Sequence, residues 1–123
     1  MSYENLEQFV EAIESYKKAV EFESNYSVAY FNLANAYKHE NQIDFAIEAY
    51  KKAIEIDQNY ADAWLFMGYA YLEKRNYYLA IQYLEKAINI NPDMGMKIKS
   101  TIASIKNSIE NLNKGLLEKF NDR

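Results

Sequence analysis

The chain has 123 residues, half of them apolar and about a quarter charged, with one proline and three glycines; that is enough for one domain with a real core and too apolar for a disordered chain. With no cysteine and a single histidine, His39, it has no disulfide framework, no thiolate nucleophile and no histidine-pair metal site, so neither catalysis nor a metal or other cofactor is expected. A net charge of −4 argues against general affinity for nucleic acid, which needs clustered Lys and Arg.

Taken in chain order, the apolar spacing predicts helices and no strand. A first helix is expected near residues 3 to 22, where Glu4, Glu7, Glu11 and Glu14 form a solvated acidic face. The same acids stand where a secretory leader would be basic and then apolar, and no apolar run approaches the roughly 20 residues of a membrane span. A cytoplasmic protein without membrane contact is the expectation. Helices follow near 27 to 40, with the stripe Tyr30, Leu33 and Tyr37, and near 43 to 56, with Ile43, Ala46, Ile47, Tyr50, Ala53 and Ile54. Two more are predicted near 61 to 74 and 77 to 90, the latter with Tyr77, Ala80, Ile81, Leu84, Ala87 and Ile88. Polar turns at 39–42 and 73–76 join the members of each pair, and Asn41 and Asn76 are candidate caps for the free backbone donors of the helix that follows. Ala46, Ala53, Gly68, Ala80 and Ala87 are small where helix axes would approach, and most of the twelve tyrosines, with Trp64, are expected in the core. A last helix is predicted near 95 to 120, its Ile98, Ile102, Ile105, Ile109, Leu112 and Leu116 stepping by four and three in a heptad-like stripe.

These helices repeat. Residues 12–26, AIESYKKAVEFESNY, and 46–60, AIEAYKKAIEIDQNY, are identical at ten of fifteen places with an offset of 34, and AIQYLEKAININ begins 34 residues later at Ala80. Tyr30, Leu33, Ala34 and Tyr37 recur as Trp64, Met67, Gly68 and Tyr71. Such a period marks a solenoid whose units bury their apolar faces only against neighbours. Trp64, Met67, Gly68, Tyr71, Ala80, Leu84 and Pro92 resemble the tetratricopeptide repeat pattern, with Met and Leu as mild replacements; the preceding unit matches it with Tyr30, Leu33, Ala34, Tyr37, Ala46 and Tyr50 but has Gln58 in place of the proline. The resemblance implies an all-α, right-handed solenoid of antiparallel helix pairs. Its parts would be a partial repeat at 1–26, repeats at 27–60 and 61–94, and a capping helix at 95–123.

The resemblance further implies a protein-binding adaptor whose first helices line a concave groove for a peptide or helix of a partner protein. Transferred to this chain, the groove falls on Val28, Phe31, Asn35 and Lys38, then Asp62, Leu65, Tyr69 and Leu72. Phe31 and Leu65 are large apolar residues off the core stripe, serving either as ligand contacts or as packing between first helices. Asn35 is the best polar candidate, since an amide both donates and accepts. Lys38, Lys99 and Lys106 are expected at the groove's edges. The carboxylate clamp by which some family members hold a chaperone's C-terminus is not expected, because Phe31, Phe66, Met96 and Ser100 stand where its Lys, Asn and Arg donors belong.

The alternative to an adaptor is an assembly module, or a fragment of a longer solenoid, that self-associates through uncovered ends. At the front, the face of Ala12, Tyr16 and Ala19 lacks a covering helix. At the back, Ile109, Leu112, Leu116, Leu117 and Phe120 project past the domain, unless the helix breaks near Asn111 to Asn113. Residues 1–94 carry eight Lys/Arg against fifteen Asp/Glu, a balance of −7, and residues 95–123 carry six against three, a balance of +3. That complementarity favours a homodimer.

Overall fold

The structure is a computed structural model, and it describes residues 10–15, 17–18 and 26–121. Among them every regular element is helical: α1 (Ser27–His39), α2 (Ile43–Ile56), α3 (Ala61–Glu73), α4 (Tyr77–Ile90), a 3₁₀ turn (Pro92–Met94) and α5 (Gly95–Asn121). Residues 10–15 and 17–18 are helical as well. The expected helix near 3 to 22 otherwise lies outside the described residues, as do Tyr16 and Ala19. Ala12 is half-buried, and its neighbour Ile13 is buried in the core formed by α1, α2 and α3.

The helices pair as the spacing requires, α1 with α2 and α3 with α4, giving an all-α solenoid. Both pairs are closed by the same turn: Gln42 N–H donates to Tyr37 O at 2.8 Å and Asn76 N–H to Tyr71 O at 2.9 Å, 34 residues apart. In this turn Asn41 is not a cap. It takes a left-handed conformation, φ 59°, matched by Arg75 at φ 61°, and Gln42 occupies the cap position without a side-chain bond. Asparagine is among the few residues that adopt this conformation readily, so Asn41 serves the turn instead. Asn76 does cap, its side chain accepting from Leu79 N–H. The unit ends where Asn91 accepts from Asp93 N–H at 3.2 Å and Pro92 opens the 3₁₀ turn.

Ala46, Ala53, Ala80 and Ala87 are completely buried, which is how the helix axes come close. At Gly68 a Cβ would lie 2.8 Å from Leu84 Cδ2 and Cγ. The tyrosines correct the sequence reading. Tyr50 alone among the described tyrosines is fully buried, Tyr26 and Tyr78 are exposed, and the others, with Trp64, are half-buried. A ring with a polar tip is cheapest at a wet edge, and here the aromatics form stacks along the rims: Tyr37 with Phe45 at 5.4 Å, Tyr71 with Tyr83 at 5.3 Å, and Trp64 with Tyr83 at 5.4 Å. The Trp64 indole donates to Gln58 O at 3.0 Å. Apart from Tyr50, the solid core consists of aliphatic and small residues and Met67, in two clusters, one around Leu33, Ile47, Tyr50 and Met67, the other around Ala80, Leu84, Ile98, Ile102 and Ile105.

Candidate peptide-binding surface

α1 and α3 are the first helices of successive units, and a ring contact between Phe31 and Phe66 joins them. The residue that joins them is Phe66. Its ring lies 5.4 Å from Phe31, 6.3 Å from Tyr50 and 6.4 Å from Tyr69, and Lys38 Nζ sits 5.2 Å from its centroid. Phe31 is also edge-on to Tyr60 at 5.1 Å. Phe31, Tyr60, Phe66 and Tyr69 are half-buried around the buried Tyr50, so their edges form a continuous aromatic floor.

The polar groups on this floor are fixed by it. The Tyr50 hydroxyl donates to Asn35 Oδ1, which takes one lone pair of that oxygen and leaves the Asn35 amide its two N–H donors and the second lone pair. Burial first, and the Glu73 carboxylate second, hold the Tyr50 phenol well above the usual range; it stays protonated and keeps donating. Lys38 contributes a cation steadied by a ring face. α1 therefore carries the Asn35 amide and the Lys38 ammonium about one turn apart, beside aromatic edges.

Of the eight expected groove residues, the structure brings Phe31, Lys38 and Tyr69 together through Phe66 and holds Asn35 against Tyr50. Leu65 and Leu72, with Tyr69, pack on the second cluster against α4 and α5; Asp62 is exposed and the other seven are half-buried. Phe31 and Leu65 thus do packing work. Lys99 and Lys106 belong elsewhere: they border a depression of about 410 Å³ between α4 and α5 with Glu85, Ile88 and Asn89, and Lys106 pairs with Glu85 at 3.6 Å. Phe66 was missed as a site residue because the preceding unit has Asn32 at the equivalent position. The signal was its size off the Trp64, Met67 and Tyr71 stripe.

A family model described as tetratricopeptide repeat matches residues 27–60 and again 61–94, and another, described as TPR repeat, matches residues 3–39. The chain belongs to the tetratricopeptide repeat family. Among solved structures this repeat chain is similar to MamA, with 29% identity and a TM-score of 0.80 over 88% of this chain and 63% of that one; it therefore spans less than two thirds of that protein. It is also similar to the first TPR of Spaghetti (RPAP3) bound to an HSP90 peptide, with 19% identity, a TM-score of 0.78 and coverage of 88% and 85%. The Yersinia enterocolitica type III secretion translocator chaperone SycD has 17% identity, a TM-score of 0.79 and coverage of 86% and 77%. No curated protein sequence matches the chain. Among the described residues no group of three or more His, Cys, Asp or Glu is placed to hold a metal ion, and no helix is long and apolar enough to cross a membrane.

Proposed function

We propose that this repeat domain is a non-enzymatic adaptor that holds a segment of a partner protein on the face shared by α1 and α3. The observation that carries the reading is the Phe66 floor, where aromatic edges from two repeats meet beside the donors of Asn35 and Lys38. Aromatic edges take apolar anchors, and the Lys38 ammonium and the Asn35 N–H groups take backbone carbonyls or carboxylates. The partner segment accordingly presents aliphatic or aromatic side chains together with exposed acceptors. The peptide-bound neighbour supports the reading at the level of the fold. A chaperone's C-terminal tail remains a poor fit, because Phe31 and Phe66 stand where the clamp's donors would be.

Selection of displayed random peptides against the chain tests this. Selected peptides should carry apolar anchors with at least one acid, and Lys38→Glu should weaken them about tenfold, the value of one charge-assisted contact. Added salt should remove only part of the affinity, since the apolar contribution is not screened. Equal affinity for the wild-type chain and Lys38→Glu would place the site on another face. A second reading, a homodimer made through the far end of α5, rests on a separate observation: every residue from 110 to 121 is exposed.

A further inference from the structure

Three isoleucines 34 residues apart, Ile13, Ile47 and Ile81, hold equivalent places in the repeat. The first two are 8% and 5% exposed. Each is closed over by the repeat that follows it: Ile13 shares a cluster with Leu33 and Ala34 of α1, and Ile47 is joined there by Met67 and Ala70 of α3 and by the Tyr83 ring of α4. Ile81 is only half-buried. It lines a depression of about 380 Å³ together with Ile109, and this meets, at Lys106, the depression of about 410 Å³ that holds Ile88, Ile102 and Ala103. One groove therefore runs along the α4–α5 seam. It is open because α5 does not turn back. Asn41 and Arg75 close their pairs in the left-handed conformation, and the next place in that series is Ile109, whose branched side chain rarely adopts it. The helix runs on through Ile109 to Asn121, and no second helix pairs with it among the described residues. The alanine series fails at the opposite end. Ala80 lies against Gly68 of α3, and it and Ala46 are completely buried, whereas Ala12 is half-buried. Ser15 is exposed where the equivalent Ala49 is buried.

We propose that copies of this chain join head to tail, the helix around Ala12 of one lying in the α4–α5 groove of the next as the second helix that α5 lacks. The chain itself shows what covers such a groove. One repeat earlier the α2–α3 seam is covered by α4 through Tyr83, and α4 carries Ala80, Leu84 and Ala87 where the sequence at the front has Ala12, Tyr16 and Ala19. In the joined copies Ala12 takes the place one repeat after Ala80, so a single contact gives Ile81 its cover and Ala12 its first helix. Charge agrees with this pairing. Residues 1–26 hold six acids and two lysines, and residues 95–109 hold three lysines and no acid. Glu85, the acid of the larger depression, is paired with Lys106 at 3.6 Å, which leaves the charge of Lys99. Ile102 stands where α1 and α3 have Ala34 and Gly68, so the helices approach less closely than within one chain and the association is reversible. Each copy offers different surfaces at its two ends, so the contact builds open chains or rings and no two-fold dimer.

Sedimentation of the full chain over a concentration series should show reversible growth past twice the 14.5 kDa chain mass. Ser15→Glu blocks the front and Ala103→Glu blocks the groove. Both residues are exposed in the single chain, so the helical circular dichroism should be retained. Each variant alone should associate about tenfold more weakly or worse, the cost of an unpaired charge in an apolar contact. An equimolar mixture of the two variants should form dimers and stop there, because one intact front then meets one intact groove. A chain that stays monomeric at millimolar concentration, wild-type growth that ends at the dimer, a variant that associates like the wild type, or a mixture that forms no dimer would each overturn the proposal.

Discussion

Tyr50 is where the core and the candidate site share one residue. It is fully buried, it stacks near Phe31 and Phe66, and its hydroxyl holds Asn35. Burial, reinforced by Glu73, raises its phenol above the ordinary value of 10.0. The unfolded chain therefore releases this proton at a lower pH than the folded one. Below pH 10 both states keep it and it adds no pH dependence; above pH 10 the unfolded state binds fewer protons and stability falls. Tyr50→Phe should cost about 1 kcal/mol at neutral pH, the value of the lost hydrogen bond, and should flatten the alkaline fall. Urea unfolding of the two proteins at neutral pH and above pH 10 measures both effects, and equal alkaline slopes would show that other groups govern it. Periodicity places Tyr50 on the buried stripe, but no pattern along the chain indicates that its hydroxyl meets a side chain fifteen residues earlier. That contact exists only once α1 and α2 are packed. The same holds for Phe66, whose partners come from three elements.

At the scale of elements the physics is mostly local, and so most of it was legible. Observed bounds of 27–39, 43–56, 61–73, 77–90 and 95–121 follow the expected ones closely, because apolar spacing and polar turns act over one or two helical turns. What local reasoning misplaced was the turn itself. The left-handed position is filled by Asn41 in one unit and by Arg75 in the next, so its residue type carries little signal, and the repeat offset is the better guide to it. The α3–α4 contact gives a sharp test. Alanine ordinarily stabilises a helix over glycine by about 1 kcal/mol, yet at Gly68 the new methyl would stand 2.8 Å from Leu84 and 3.3 Å from the Ala80 carbonyl. Leu84 is completely buried and has nowhere to move. Overpacking of this kind costs about 1–3 kcal/mol, so Gly68→Ala should lower the melting temperature despite the helix gain. A higher melting temperature would mean that α3 and α4 are packed less closely than the structure has them.

For the molecule as a whole, two clusters share one boundary element. The first is built on α1 and α2 and takes Met67 and Ala70 from α3; the second joins α4 to α5 and receives Leu65, Tyr69 and Leu72 from the same helix. Tyr71 packs against both. In a solenoid each unit is held by its neighbours, so damage should spread from the injured cluster outward instead of unfolding everything at once. Ile102 is 7% exposed in the second cluster, and Ile102→Ala should cost about 2–5 kcal/mol by leaving a cavity under α5. Because that loss falls on the α4–α5 contact, amides of α4 and of Gly95–Ile105 should exchange with solvent faster, while those of α1 and α2 keep most of their protection. Native-state hydrogen exchange distinguishes the two cases. Uniform loss of protection from Ser27 to Ile105 would show that α3 couples the clusters into a single cooperative unit, and the proposed binding face on α1 and α3 would then be only as stable as the α4–α5 contact.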